Sequence, residues 1–177
     1  KHKHLKKNLF FGKGNDFVVS RGEYIMAKIF AEYLGWKFID AADFVIFGRD
    51  GLLDKEKTFE AAEKAFNGVE NAVIPGFYGS IGSSGIKLFP RGGGDTTAAI
   101  VTRAVKASLG EKWSETTKVY SADPSVVDNP AVIRQLTYEE LKQLTYMGIS
   151  VFHEDVILLM QSIGIPMRLR NIHDIDD

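Results

Sequence analysis

The sequence predicts an α/β fold, an open sheet covered by helices on both sides, and three observations carry that prediction. Helical stretches of period 3.6 alternate with short continuous apolar runs, glycines stand where the helices should stop, and a triple glycine joins a strand to a helix. Continuous apolar runs suit strands buried on both faces, as in a parallel sheet. In such sheets ligands bind beyond the carboxyl ends of the strands.

The elements follow in order. Residues 20–34 read as a helix, with Ile25, Ile29, Phe30, Tyr33 and Leu34 forming the kind of stripe a helix turns towards a core, and Gly35 as its stop. Phe44-Val45-Ile46-Phe47 reads as a strand, followed by a turn at Asp50-Gly51. Residues 57–66 read as a helix, and Ala72-Val73-Ile74 as a strand ending at Pro75-Gly76. Residues 95–109, rich in Ala, Ile and Val, read as a mostly buried helix. Residues 137–147 form a helix with Thr137 and Glu140 in capping-box spacing and Gly148 beyond the end. Residues 151–163 form another, closed by Gly164, and residues 166–170 a late strand. No internal repeat is present.

Composition narrows the function. The 177 residues are 45% hydrophobic and 25% charged, an ordinary globular balance. With 22 Lys plus Arg against 23 Asp plus Glu, the formal charge is −1, and no basic footprint for nucleic acid exists. The absence of cysteine removes disulfides, thiolate nucleophiles and zinc–thiolate sites. No apolar run is long enough to span a bilayer, and the basic start Lys1-His2-Lys3-His4 lacks a signal peptide's apolar stretch. A soluble, cytoplasmic protein without membrane or nucleic-acid partners is the expectation.

The most informative stretch is Phe89-Pro90-Arg91-Gly92-Gly93-Gly94-Asp95-Thr96-Thr97. Glycines let backbone approach a ligand closely, and the helix that follows presents unpaired N–H groups and the positive end of its dipole. Arg91 at the mouth can hold a carboxylate or phosphate through two parallel hydrogen bonds. The bland alternative is a tight strand-to-helix turn with Asp95 as N-cap. The loop is neither a Walker phosphate loop nor a Gly-x-Gly-x-x-Gly fingerprint. His153-Glu154 lacks the second histidine of a zinc motif, since Ile157 stands there, so no metal site is predicted and His153 reads as a helix cap.

On this loop the sequence resembles aspartate kinases of the amino-acid kinase family, whose Arg-Gly-Gly-Ser-Asp motif is matched by Arg91-Gly92-Gly93-Gly94-Asp95. Further segments match in order: Ser20-Arg21-Gly22-Glu23, Ile74-Pro75-Gly76-Phe77-Tyr78-Gly79, Val119-Tyr120-Ser121-Ala122-Asp123-Pro124, and Leu136 to Glu140 continuing through Met147 to His153. The resemblance covers residues 16–177, with residues 1–15 as a tail. It implies a three-layer α/β/α sandwich with a mainly parallel sheet, incomplete at its amino-terminal side. It also implies transfer of the γ-phosphoryl of ATP, with magnesium, to the β-carboxylate of L-aspartate, the first step towards lysine, threonine and methionine. Phosphoryl transfer of this kind needs positioning and charge stabilisation rather than a protein nucleophile.

The resemblance also implies roles. Arg91, with Gly92, Gly93 and Gly94, would bind the α-carboxylate of aspartate, and Glu23 would face its amino group. Against this, Ser20 and Glu23 are spaced as a capping box. Asp95 would organise the catalytic end of the loop, and Ser114, Glu115, Tyr120, Asp123, Ser125 and Ser150 would line the nucleotide pocket. Ser125 and Ser150 stand where the family commonly has Arg and Lys, and Ser114-Glu115 where it has Thr-Asp. These departures keep two rivals open: another amino-acid kinase, acting on acetylglutamate or glutamate, and a non-catalytic module that binds aspartate or nucleotide.

The family's Lys-Phe-Gly-Gly-Thr-Ser start and its regulatory ACT domains, through which family members largely pair as homodimers, have no counterpart here. The segment Tyr78 to Gly85 reads as a flexible loop or as a join between stretches that are not adjacent. The expectation is therefore a partial catalytic domain, with negligible kinase activity from the 177 residues alone and activity in the parent chain. Coupled measurement of ADP release on a polypeptide of verified mass checks this, and robust aspartate-dependent turnover by the 177 residues would contradict it.

Overall fold

The computed structural model describes residues 14–83, 85–115, 118–122, 125–148 and 152–173, and divides into two compact units between Val105 and Lys106.

The first unit opens with helix α1, Asn15–Leu34. It starts well before Ser20, because nothing in Phe17-Val18-Val19 breaks a helix and Gly14 provides the N-cap. Gly35 stops it as expected, in the left-handed conformation at φ 67°, with the Trp36 N–H returning to Ala31 O at 2.9 Å. Strand β1, Lys37–Phe38, pairs in parallel with β3, Ala72–Val73. Between them come a 3-10 turn at Ala41–Asp43, strand β2 at Ile46–Phe47 and helix α2 at Lys55–Phe66, N-capped by Asp54. Buried Thr58 fastens α2 to β2 by accepting the Ile46 N–H at 3.0 Å. Strand β4, Tyr78–Ile81, lies parallel to β2 and antiparallel to β5, Gly85–Leu88. Helix α3, Gly93–Ala104, follows and packs on α2.

Four expectations are corrected in this unit. The Tyr78 to Gly85 stretch is not a loose loop among its described residues, since Tyr78–Ile81 pair with Gly85–Leu88 in register from Tyr78 opposite Leu88 to Ile81 opposite Gly85. The strand at residues 44–47 shortens to Ile46–Phe47, because the Phe44 and Val45 N–H groups are taken up by Ala41 O. Helix α3 ends at Ala104 rather than at Leu109, and Lys106 sits at φ 50° beyond it. The stripe on α1 faces outward: Ile29 is 56% and Tyr33 83% exposed, while Ser20, Ala27 and Ala31 are buried. Small side chains win that face because they let the helix axis approach β1, β3 and β5. Ser20 tolerates burial by donating its hydroxyl to Phe17 O at 2.8 Å.

The second unit holds β6, Gly110–Ser114, parallel to β9, Met167–Asn171, and a hairpin of β7, Val119–Tyr120, with β8, Val132–Ile133. Helices α4, Tyr138–Tyr146, and α5, Glu154–Ile163, pack on each other over Leu141, Val156, Ile157 and Met160. The Thr137–Glu140 capping box forms in both directions, and Gly164 ends α5 in the left-handed conformation. The N–H and hydroxyl donors of Thr137 hold the Glu140 carboxyl below its ordinary pKa. Strand β6 has no apolar run to announce it, since Glu111, Lys112 and Ser114 interrupt it. Among the described residues, no helix is long and apolar enough to cross a membrane.

The inverted faces of α1 make a clear mutational contrast. Ala31→Leu should overpack the buried face and cost about 1–3 kcal/mol in urea unfolding. Ile29→Gln should change stability by no more than about 0.5 kcal/mol.

Candidate functional site

The first unit builds its candidate site where the β4–β5 hairpin meets the start of α3. Phe89 follows β5, its N–H donates to Phe77 O at 2.9 Å, and its ring lies 4.9 Å from that of Phe47. Arg91 and Gly92 turn the chain, Gly92 at φ 82°, where a side chain would be strained. Gly93 opens the helix in tight contact. A β-carbon there would fall 2.5 Å from Phe89 Cβ and 3.0 Å from Phe77 Cα. At Gly94 a β-carbon would meet open space, which is the position where the resembling motif carries serine.

Phe77 adopts φ 61°, a conformation rare for a bulky residue. Its N–H donates to Thr97 Oγ1 at 3.1 Å, and that hydroxyl donates to Gly93 O at 3.0 Å. The next residue, Tyr78, is fully buried and donates its hydroxyl to Asp40 Oδ1 at 2.7 Å. The same oxygen accepts the Ala42 N–H at 3.0 Å. Burial first, and then the bond to Asp40, push the Tyr78 hydroxyl's pKa far above its usual range, so it stays a proton donor.

Arg91 is exposed and, among the described residues, makes no ion pair or hydrogen bond. Glu23 is likewise exposed and unpaired, in the interior of α1. The capping-box alternative for Glu23 falls away, because Ser20 is a mid-helix residue bonded to Phe17 O. Asp95 is the third residue of α3 and not its N-cap, a place taken by Gly92. There its carboxylate sits at the positive end of the helix dipole. Glu23, Arg91, Gly92, Gly93, Gly94 and Asp95 all belong to the first unit, and α1 meets the hairpin directly, with Asp16 accepting the Leu88 N–H at 3.2 Å.

The residues expected around the nucleotide belong to the second unit. Ser114 ends β6, where its carbonyl accepts the Ile172 N–H at 3.2 Å, and Glu115 follows it exposed. Tyr120 is half-buried opposite Val132, and Ser125 is exposed. Asp123 and Ser150 lie outside the described residues. The unit also contains a hollow of about 940 Å³, floored by Val119, Leu141 and Phe152 and edged by Lys118, Arg134 and Arg168. His153 occupies the N-cap of α5 without a capping bond, its Nδ1 3.5 Å from an Asp155 oxygen. No group of three His, Cys, Asp or Glu that could hold a metal occurs among the described residues.

Sequence reasoning missed Phe77, Thr97, Tyr78 and Asp40 as structural partners of the loop. Thr97 had a signal, a hydroxyl placed one helical turn beyond Gly93 and followed by the apolar run Ala98 to Val101. Phe77 had none, because left-handed backbone normally announces itself through glycine or asparagine.

Parallel strand pairs with a glycine loop at a strand end define an α/β scaffold of the class that places ligands beyond the ends of its strands. The chain belongs to the amino acid kinase family, which it matches over residues 2–171. Aspartokinase 3 of Bacillus subtilis is 30% identical over 167 residues, covering 90% of this chain and 37% of the relative. The crystal structure of Clostridium acetobutylicum aspartate kinase is 39% identical with a TM-score of 0.91, covering 99% of this chain and 40% of that one. Aspartokinase III of E. coli in complex with lysine and aspartate is 26% identical with a TM-score of 0.76, covering 90% and 38%. The same enzyme in complex with aspartate and ADP is 24% identical with a TM-score of 0.80, covering 97% and 42%, and adds likeness of fold alone. These relatives establish the α/β amino-acid kinase fold. This chain spans about two fifths of their length.

The glycines should separate in stability measurements. Gly93→Ala should cost about 1–3 kcal/mol, because both colliding groups are close to backbone. Gly94→Ala, in helix and unobstructed, should be neutral or stabilise by up to about 1 kcal/mol. Equal effects in denaturant titration would contradict the close approach at Gly93.

Proposed function

We propose that the chain is part of an aspartokinase catalytic domain. Its parent then transfers the γ-phosphoryl of ATP to the β-carboxylate of L-aspartate, opening the route to lysine, threonine and methionine. The observation that carries the reading is Arg91, exposed and unpaired at the apex of a glycine loop whose two ends are anchored. A guanidinium held out in this way offers two parallel hydrogen bonds to the α-carboxylate. Gly94 leaves room for the substrate's close approach, Gly92 and Gly93 set the backbone course that presents it, and the exposed Glu23 carboxylate takes the ammonium group. Asp95, in the first turn of α3, orders the catalytic end.

In the second unit, Ser114, Glu115, Tyr120, Asp123, Ser125 and Ser150 attend to the nucleotide. Magnesium enters with the triphosphate. The parent works as a cytoplasmic homodimer. The likeness to aspartate kinase at 39% identity favours aspartate over acetylglutamate or glutamate.

In the parent chain, Arg91→Ala should raise the KM for aspartate by about 10- to 100-fold, as the loss of a charged hydrogen-bonded pair requires. The KM for ATP should change little. A substrate screen with aspartate, N-acetylglutamate and glutamate should show turnover with aspartate alone. Unchanged aspartate affinity in Arg91→Ala would refute the assigned grip, and nucleotide binding without turnover would favour the non-catalytic module.

A further inference from the structure

We propose that Thr97 is a positioning residue for the carboxylate grip, acting through Phe77 to fix the loop that carries Arg91; the inference rests on the reading just given. Thr97 is 2% exposed, and its hydroxyl is used in both directions, accepting from Phe77 N–H at 3.1 Å and donating to Gly93 O at 3.0 Å. Phe77 in turn accepts from Phe89 N–H at 2.9 Å through its carbonyl. The segment from Phe89 to Gly93 is therefore tied at both ends to one residue, directly at Phe89 and through the Thr97 hydroxyl at Gly93. Arg91 stands at the middle of that five-residue span.

The geometry leaves little slack. The space between Gly93 and both Phe77 and Phe89 is too small for even a β-carbon, so a shift of the Phe77 turn bears directly on the loop's far end. That turn is held in the left-handed region, at φ 61°, against the preference of a bulky residue. Without the hydroxyl, the Phe77 N–H loses its acceptor in a part-buried setting, and the turn is free to relax towards ordinary backbone. Arg91 would keep its charge and lose its placement. The carboxylate it holds is the same in the ground and transition states, so the effect falls on KM for aspartate and not on kcat.

The test uses the full parent chain. Thr97→Val keeps the shape and removes the hydroxyl, while Thr97→Ser keeps the hydroxyl. We expect Thr97→Val to raise the KM for aspartate by about tenfold, the scale of one lost hydrogen bond. We expect kcat to stay within about threefold and the KM for ATP within about twofold, with Thr97→Ser close to the unsubstituted enzyme. A KM for aspartate unchanged in Thr97→Val, or a parallel rise in both KM values, overturns the proposal. Should Thr97→Val fail to fold, amide hydrogen exchange in the unsubstituted chain decides. Protection of the Phe77 amide comparable with that of α3 supports the clamp, and exchange as fast as an exposed loop overturns it. Absence of aspartate-dependent ADP release from the unsubstituted parent strikes down the underlying reading. Turnover there with an indifferent Thr97→Val strikes down this inference alone.

Discussion

The candidate site depends on one close approach, the start of α3 against the turn at Phe77. No side chain fits between them: a β-carbon at Gly93 would lie inside contact distance of Phe77 and Phe89 together. Gly92 turns the backbone at φ 82° so that the helix can begin there. Gly94, one residue on, is free of both demands. The three consecutive glycines thus serve different ends, two geometric and one that leaves space outside the helix start.

Magnitudes show why this turn can persist. A non-glycine residue in the left-handed region costs about 1–2 kcal/mol. Phe77 makes one hydrogen bond through its N–H and one through its carbonyl, each contributing about 1 kcal/mol net. The two sums are comparable, so the turn is held but not deeply trapped, and burial of its neighbour has to settle the balance. Tyr78 does this, fully buried and bonded to an aspartate that also caps the 3-10 turn at Ala41–Asp43. The strand end before the loop is thereby fixed by β4 pairing on one side and by the Tyr78–Asp40 bond on the other.

The elements that could be read from the sequence were those whose signals are local. Gly35, Gly164 and the Thr137–Glu140 box mark helix ends through backbone conformation or short-range hydrogen bonds, and each stands where expected. The face of α1 was misread because amphipathicity counts apolar residues and does not weigh how closely a small one lets two elements approach. Ser20, Ala27 and Ala31 are buried by their size, and Ile29 and Tyr33 are left outside. Strand β6 and the β4–β5 hairpin were missed because long-range pairing confers their order, with Gly110 to Ser114 matched to Met167 to Asn171 and Tyr78 to Leu88. The candidate site divides in the same way. Arg91, the glycines and Asp95 were legible from residue type and order, while Phe77, Thr97 and Asp40 owe their place to contacts across the fold.

Two arginines of the first unit show how the same chemistry is put to opposite uses. Arg21 lies over the rings of Phe17 and Tyr24, with Tyr78 slightly farther, and its guanidinium donates to Ser20 Oγ and Phe17 O. It is occupied inside the unit and has little left to offer a ligand. Arg91 has no such partners among the described residues and is exposed at the apex of a loop that is anchored on both sides. A cation meant for stability would be expected to resemble Arg21, since an unpaired surface charge contributes almost nothing to the fold. An arginine left unpaired while its backbone is tightly placed is better explained by a partner that arrives from solution. Under the proposed function that partner is the carboxylate of a small amino acid, whose geometry matches the guanidinium fork.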